Sequence, residues 1–284
     1  MAGSMKDIKL RIKSVESTMQ ITKAMELVAS SKLRRAKERV EQSRPYFETL
    51  YKTLYDIAAS NIDLSSPYLA QRQVKKSCYI VIAGDRGLAG GYNTNMFKAI
   101  AADAAGKDYC VLPIGKKAVE HFAHRGVPIL TDNFALVADL SVSDSFELAR
   151  MVCKKFLDGE FDEIKLGFTQ FVSMLTQTAT VLQALPFDAP RPERGKAARE
   201  LILYEPNSEE VFNAIIPEYL SGMIYGAMCE SVASELGARR TAMDSASKNA
   251  GEMIDNLNLY YNRARQAAIT QDITEIVAGA GAGA

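Results

Sequence analysis

The stretch from residue 250 to residue 271, AGEMIDNLNLYYNRARQAAITQ, contains no proline and repeats small or apolar side chains at alternating spacings of three and four. That spacing is typical of a helix packed lengthwise against another helix. Several of these positions are alanines, so the partner helix can approach closely while each layer buries little apolar area. The predicted seam consists of Ala250, Met253, Leu257, Tyr260, Ala264, Ala267 and Gln271.

The helix that contains this seam is predicted to be very long. Asn207 followed by Glu210 indicates a cap at its start, and no proline occurs after Pro217. A helix from about Ser208 to Val277 would span roughly 105 Å. We expect a kink near Pro217 and fraying of the glycine-rich tail AGAGAGA.

The other end of the chain has the same character. Its first 60 residues contain one proline, Pro45, and glycine is absent from Ser4 to Ala83. With Ser4 as cap, a helix over residues 4 to 60 would be about 85 Å long and bent at Pro45. Its apolar positions again follow a heptad-like spacing, in the two groups Ile8, Ile12, Val15, Met19 and Phe47, Leu50, Leu54, Ile57.

Two helices this long each need a partner for their apolar stripes, and we expect them to pair with each other. Charge supports an antiparallel arrangement: residues 1 to 60 carry 12 basic and 7 acidic side chains, and residues 208 to 284 carry 5 and 10. Exposed ion pairs contribute only ~0.2–1 kcal/mol each, so they select orientation more than they stabilise. The expected basic partners are Lys32, Arg34, Arg35, Lys37 and Arg39, and the expected acidic ones are Glu230 and Glu235.

Overall composition excludes several classes of protein. Equal numbers of basic and acidic residues, 34 of each, argue against a nucleic-acid binder, and 48% hydrophobic residues argue against a disordered chain. Four scattered cysteines favour small buried hydrophobes over disulfides or a metal site. The start MAGSMKDIK predicts no secretory signal, and the uncharged run Leu166 to Phe187 predicts strands rather than a membrane span.

The middle of the chain, residues 61 to 207, alternates strands with helices and predicts a small Rossmann-like α/β domain. Expected strands are Cys78 to Ala83, Tyr109 to Ile114, Ile164 to Thr169 and Leu201 to Tyr204. Expected helices run from Asn93 to Ala105, from Gly115 to about Arg125, and from Asp144, with Glu147, to near Gly159. Residues 187 to 199 are expected to form a mobile loop. The fold class is therefore α/β, with a long antiparallel coiled coil of the terminal helices (1–60 and 208–284).

The sequence GDRGLAGGYN, residues 84 to 93, joins a strand to a helix, where backbone amides can bind phosphate. Its glycines are spaced GxxGxxGG, which fits neither GxGxxG nor GxxxxGK[ST]. A structural turn is therefore favoured over a nucleotide site. His121 and His124, three apart on a predicted helix, lack further metal ligands nearby, and the hydrolase motifs GxSxG and HExxH are absent. We predict no catalytic, cofactor or metal site.

The basic cluster from Lys32 to Arg39 is expected to face the acidic C-terminal helix, and a contact with another protein remains an open alternative. Met19, Met25, Leu27 and Val28 widen the apolar surface beyond one stripe, so a second partner is expected around this part of the helix.

Four segments together resemble the gamma subunit of bacterial F-type ATP synthases: QITKAMELVASSKLRRAK (20–37), GDRGLAGGYN, LYEP (203–206) and YNRARQAAITQDITEIVA (261–278). The sequence departs from that family at Arg240, where an apolar residue is commoner, and at Asp244 and Lys248, where the charges are often reversed. The resemblance covers nearly the whole chain, and the four segments occur in the same order as in that family.

The resemblance implies a non-catalytic central-stalk rotor that transmits torque between a membrane c-ring, driven by protons, and a ring of alpha and beta subunits. The coiled coil would lie inside that ring, and the segment ITQDITEIVA would project as a single helix. Met25, Arg239, Arg265 and Gln266 would contact the ring, and Tyr204 and Glu205 would lie near the c-ring and epsilon subunit. The expected location is peripheral, on the cytoplasmic side of the cell membrane, without direct nucleotide or nucleic-acid binding.

Two other functions remain open from the sequence. GDRGLAGGYN is compatible with a nucleotide-binding α/β enzyme whose terminal helices form a dimerisation arm. The heptad seams are compatible with a free coiled-coil scaffold that forms a homodimer.

Overall fold

The computed structural model describes residues 5–60, 64–134, 136–137, 141–188 and 204–281. Along the chain, a mixed α/β region lies between two very long helices. In that order the elements are α1 Met5–Ser60, β1 Lys76–Ile82, α2 Tyr92–Asp103, β2 Asp108–Ile114, α3 Lys116–Ala123, α4 Val142–Leu157, β3 Glu163–Phe171, β4 Gln177–Leu185 and α5 Ser208–Gly281. Pro45 and Pro217 both lie inside these helices.

The chain divides into two compact units, Ser30–Arg239 and Met1–Ala29 with Arg240–Ala284. The first contains a four-stranded sheet in the order β2-β1-β3-β4. Strand β1 pairs in parallel with β2 and β3, and β4 pairs antiparallel with β3. The two parallel crossovers through helices confirm the predicted Rossmann-like α/β arrangement.

Side chains of β1 alternate between two apolar layers. Cys78, Ile80 and Ile82 face one cluster, which α4 and parts of α1 and α5 complete. Tyr79 and Val81 face a second cluster, which α2 and α3 cover. A strand covered on both faces must be apolar throughout, which explains the run CYIVIA.

Helix α1 buries a continuous stripe that the sequence revealed only at its ends. Between Met19 and Phe47 the stripe consists of residues that are small, polar or isolated among charges, so the apolar pattern is weak there. The stripe consists of these buried or half-buried positions: Ile8, Ile12, Val15, Met19, Thr22, Glu26, Ala29, Leu33, Ala36, Val40, Ser43, Phe47, Leu50, Leu54 and Ile57. Their alternating spacing of three and four is that of a heptad.

The predicted seam of α5 is correct at one of its two heptad positions as far as Ala264 and wrong at the other. Ala250, Leu257 and Ala264 are among its more buried residues, as predicted, but Met253 and Tyr260 are 45% and 59% exposed. Ala267 and Gln271 are exposed as well. The second position is one residue later, at Ile254, Tyr261 and Ala268. Adjacent apolar pairs such as Tyr260-Tyr261 allow both registers in sequence, and packing selects one.

Contacts between α1 and α5 show that they run antiparallel within each unit. In the unit 1–29 with 240–284, Thr22 Oγ1 lies 2.7 Å from Ser247 Oγ, and Glu26 lies 4.0 Å from Arg240. In the unit 30–239, the rings of Phe47 and Tyr219 stack at 5.5 Å. Arg44 lies 3.9 Å from Glu230. The predicted antiparallel coiled coil is confirmed.

The predicted ion pairs between residues 32–39 and the acidic helix are wrong in detail. Glu230 faces Arg44 instead, and Glu235 pairs with Arg239 on its own helix. Lys37 places its ammonium group 4.9 Å from the ring centre of Phe171. Both glutamates face the α/β region, because Glu230 accepts from the amide of Phe171 and Glu235 lies beside Gly84.

The structure tests two predicted helix starts. Asn207 caps α5, since its side chain accepts from the amide of Glu210 at 2.8 Å and donates to the Glu210 carboxylate at 2.9 Å. Helix α4 begins two residues earlier than predicted, at Val142, because Ser141 and Asp144 form a capping box.

Several predictions concern residues outside the described ranges. Ser4 as a cap, most of the loop 187–199 and the strand residues Leu201 to Leu203 belong here, and Tyr204 itself is not in a strand. Helix α5 continues to Gly281, past the predicted end at Val277.

Candidate functional site

The turn from Gly84 to Gly91 follows β1 and is fixed by side chains on both sides. Asn93 accepts from the amide of Gly84 at 2.8 Å. Asp85 accepts from the amides of Lys116 and Val137 at 3.2 and 3.1 Å. Leu88 has a φ of 64° and is 67% exposed, so the turn presents this leucine outward. The loop is therefore rigidly held rather than open to a ligand.

Helix α5 packs directly on this turn through Glu235 and Arg239. The Glu235 carboxylate occupies the space beside Gly84, where an added Cβ would lie 2.9–3.1 Å from it. Arg239 donates to Glu235 and, at 3.2 Å, to the carbonyl oxygen of Gly87. Only 14% of either side chain is exposed. We call these four residues, Gly84, Gly87, Glu235 and Arg239, the latch.

The preceding turns of α5 bind the end of β3 in the same way. Ser231 Oγ accepts from the amide of Thr169 at 3.2 Å, and Ser234 Oγ donates to its carbonyl oxygen at 2.9 Å. Glu230 lies 3.4 Å from the amide of Phe171. Tyr92 is buried beside them, and burial raises the pKa of its hydroxyl. Sequence reasoning missed Ser231 and Ser234, although polar residues at that spacing on an otherwise apolar helix face are a usable signal.

The position of the latch decides between the two interpretations of GDRGLAGGYN. In open α/β sheets ligands bind beyond the carboxyl ends of the parallel strands, where the strand order reverses. Here that crevice, after β1 and β3, is filled by Glu235, Arg239 and Ser231. The turn therefore serves as an attachment for α5, and the structural interpretation is favoured over phosphate binding.

The pKa of Glu235 determines how the stability contributed by the latch changes with pH. Burial raises the pKa of Glu235, and Arg239 partly opposes that shift. A carboxyl group with a raised folded-state pKa stabilises most below its ordinary value of 4.5 and loses that contribution as pH rises through the folded-state value.

We predict that Arg239→Gln lowers the free energy of unfolding by about 1–3 kcal/mol at neutral pH, because Glu235 keeps its charge without a partner. The loss should grow as pH rises above 4.5. Denaturant unfolding at several pH values measures this, with Arg150→Gln as control. Arg150 is also ion-paired, at 3.8 Å from Glu218, but is 72% exposed. Equal losses for the two variants would contradict the role of the latch.

The histidines and cysteines singled out in the sequence pack against other side chains. His121 stacks on Phe97 at 3.8 Å and contacts Arg125. All four cysteines are buried and free, as predicted. Among the described residues, no group of three or more metal-ligating side chains comes together.

The residues predicted to contact a ring are distributed along both helices. Met25 is half-buried, whereas its neighbours Leu27 and Val28 are 65% and 56% exposed. Arg265 and Gln266 are both exposed. Arg239, by contrast, belongs to the latch.

The two residues predicted near a membrane ring lie just before α5. Tyr204 is half-buried against the main core, and burial raises the pKa of its hydroxyl. Glu205 is exposed.

Among the residues that the structure describes, no helix covers the last part of α5. All side chains from residue 269 to residue 278 are exposed, including four large aliphatic ones. These are Ile269, Ile273, Ile276 and Val277, at 50%, 56%, 71% and 66% exposure. We call this segment the projecting end. So much exposed apolar surface on one helix indicates a protein-binding surface.

Comparison with known proteins identifies the family. Residues 4–282 match the ATP synthase family. The ATP synthase gamma chain of Ruminococcus albus is 48% identical over 280 residues, which cover 96% of each chain. The chain belongs to the ATP synthase gamma chain family. The predicted family is thereby confirmed, and the gamma chain is a central-stalk subunit of an F-type ATP synthase that is not itself catalytic.

Further relatives support the gamma chain fold. The sodium ion specific gamma chain of Acetobacterium woodii is 44% identical, with 99% of both chains covered. A chain of the Euglena gracilis mitochondrial ATP synthase, from its OSCP/F1/c-ring structure in rotational state 3, matches with a TM-score of 0.68 at 19% identity. That match covers 99% of this chain and 95% of the other. None of the described helices of the gamma chain has the length and apolar character of a membrane span.

Proposed function

We propose that the paired helices α1 and α5 form a rotor shaft inside a ring of alpha and beta subunits, while the α/β region joins the epsilon subunit and the c-ring. The observation that carries this proposal is the projecting end, whose aliphatic side chains are exposed over residues 269–278. A ring-shaped collar would cover such a helix on all sides. Residues 1–60 and 208–284 would then be the shaft, and residues 61–207 its foot.

Mechanically, torque needs a stiff element fixed to a foot. Two paired helices resist bending better than one, and the stripe of α1 keeps its contacts along the helix. Within the unit 30–239, the latch ties the turn after β1 to α5. The foot and helix α5 would therefore rotate together.

The individual contacts are proposed from the resemblance to the family. We propose that Met25, Arg239, Arg265 and Gln266 act toward the alpha/beta ring, Arg239 from its place in the latch. Tyr204 and Glu205 are proposed to act toward the c-ring and epsilon.

Assembly with alpha and beta subunits tests the proposal. Beta-subunit ATP hydrolysis should depend on whether this chain is present, and the three chains should co-purify. An ATPase that is the same with and without the chain would contradict it.

The coupling ion and the location are also part of the proposal. We propose proton coupling at the cytoplasmic side of the cell membrane, with the chain peripheral. The Acetobacterium woodii relative is sodium ion specific, so vesicles energised separately with a proton gradient and a sodium gradient provide the test. ATP synthesis driven by sodium alone would contradict proton coupling.

Met25→Lys is expected to impair coupling while ATP hydrolysis is largely retained. The resemblance places Met25 toward an acidic mobile lever of the beta subunit, and an added ammonium group would attract it and hinder the lever's release. Ion pumping per ATP hydrolysed is the measurement, and Met25→Leu is the matched control. An unchanged ratio in Met25→Lys would count against the assignment of Met25.

A further inference from the structure

A hydrogen bond and an ion pair cross the seam between α1 and α5 in the unit 1–29 with 240–284. Thr22 lies in the buried stripe of α1 at 9% exposure, and its hydroxyl oxygen is 2.7 Å from that of Ser247. Thr22 donates its single hydroxyl proton to the carbonyl oxygen of Met19 at 3.0 Å, so Ser247 is the donor in the bond between the helices. This bond forms only when Thr22 and Ser247 are level with each other.

The ion pair joins Glu26 to Arg240 about one helical turn away. The Glu26 oxygen lies 4.0 Å from the Arg240 nitrogen, and the two side chains are 23% and 33% exposed. Both residues continue the seam, because Glu26 is four residues after Thr22 and Arg240 is seven residues before Ser247. A carboxylate this far removed from water is costly without its partner. We call Thr22, Glu26, Arg240 and Ser247 the polar layers.

The neighbouring apolar layers distinguish poorly between possible registers. One heptad from the hydrogen bond, the antiparallel pattern places Val15 level with Ile254. If α5 slipped by one heptad, about 10.5 Å, Val15 would be level with Tyr261, another half-buried seam residue. The same slip would place Thr22 level with Ile254 and separate Glu26 from its partner. The polar layers therefore oppose a slip that the apolar layers tolerate.

We propose that the polar layers set the axial register of α1 against α5, and that torque transmission depends on this register because Met25 adjoins Glu26. The dependence of torque on register rests on the proposed function, whereas the register itself does not. Polar residues at single seam positions specify register at the expense of stability. The polar layers are therefore positioning residues, and their loss should change the register more than the stability.

Pairs of introduced cysteines in the complete chain measure the register. Val15→Cys with Ile254→Cys should form a disulfide when oxygen and copper phenanthroline are added, because these positions are level in the observed register. Val15→Cys with Tyr261→Cys reports the slipped register and should stay reduced. The four native cysteines are buried and belong to the unit 30–239, so they do not compete. A disulfide in the slipped pair while the polar layers are intact would overturn the proposal.

Apolar replacement of the polar layers should release the register without loss of stability. The slipped pair should then reach at least about one tenth of the disulfide yield of the native pair, a register preference of about 1.4 kcal/mol or less. The Tm should stay the same or rise, because apolar side chains in place of a buried ion pair are often neutral or stabilising. A slipped pair that stays reduced would overturn the proposal. The apolar variant combines Thr22→Val, Ser247→Ala, Glu26→Leu and Arg240→Leu. The control combines Thr18→Val and Glu16→Leu, at exposed positions of the same helix, and should leave the slipped pair reduced.

Charge reversal separates positioning from a general loss of packing. Glu26→Arg alone brings two guanidinium groups together and should allow the slipped disulfide, and addition of Arg240→Glu should abolish it again. A slipped disulfide that persists in the double variant would overturn the proposal. In the assembled complex, ion pumping per ATP hydrolysed should fall in Glu26→Arg and recover in the double variant. Pumping that does not follow the register would overturn its link to torque. ATP hydrolysis that is independent of the chain would instead contradict the proposed rotor function.

Discussion

Replacing Gly115 by alanine is expected to lower the free energy of unfolding by at least about 4 kcal/mol, a loss reserved for severe backbone or packing conflicts. Gly115 has a φ of 100°, which L side chains rarely adopt. An added Cβ would lie 2.0 Å from the carbonyl oxygen of Ala83 and 2.9 Å from Val137. Because Ala83 directly follows the central strand β1, its backbone has little freedom to move.

Thermal unfolding of the complete chain measures this effect. For a domain of this size, 4 kcal/mol corresponds to a fall of about 8–16 °C in Tm. Gly159→Ala is the matched control: its φ is 77°, but nothing lies within 4 Å of an added Cβ. It should cost only about 1–2 kcal/mol, the penalty of the left-handed conformation alone. Similar losses in both variants would show that the close approach to Ala83 is not what matters.

Replacing Arg265 and Gln266 together, by alanine and leucine, is expected to reduce ATP synthesis by about ten- to a hundredfold in the assembled complex. Loss of a single hydrogen bond to a charged group at an interface costs about 1.5–3 kcal/mol, which corresponds to about this range. Both side chains are exposed in the isolated chain, so the Tm of that chain should hardly change. The combination of lost activity and preserved stability is the signature of a contact with a partner.

Arg263→Ala provides the control for this pair. Arg263 is also exposed on α5. It lies two residues before Arg265, on a different side of the helix, and three residues before Gln266, on a similar side, so it is a control for Arg265 in particular. Its replacement should have a smaller effect on ATP synthesis. If Arg263→Ala were as damaging as the double replacement, the assignment of Arg265 and Gln266 would lose its specificity.

Sequence periodicity predicted the fold well where the repeating positions are large apolar residues. The strand predicted at Cys78 to Ala83 is an example, since burial on both faces requires an apolar run there, and the structure has it at Lys76–Ile82. The cap Asn207 was also predicted, because one local side-chain hydrogen bond determines it. Periodicity failed where neighbouring residues compete for one position. Met253 and Ile254 differ little in apolar character, and only contact with the partner helix decides which is buried.

Part of the candidate site could be predicted from the sequence, and part could not. The exposed state of the projecting end was expected, because the segment ITQDITEIVA was predicted to project as a single helix. The latch did not follow, because it joins residues about 150 positions apart in the chain. Glu235 was expected to face basic residues of α1, and only the folded turn shows why it faces Gly84 instead.

Observation of single complexes tests the central claim that this chain turns relative to the alpha/beta ring. The ring is fixed to a surface, and a probe is attached at Lys98→Cys, an exposed position on α2. All four native cysteines are buried, so the new thiol is the accessible one. On addition of ATP, the probe should rotate stepwise in one direction. ATP hydrolysis accompanied only by random fluctuation of the probe would contradict the account.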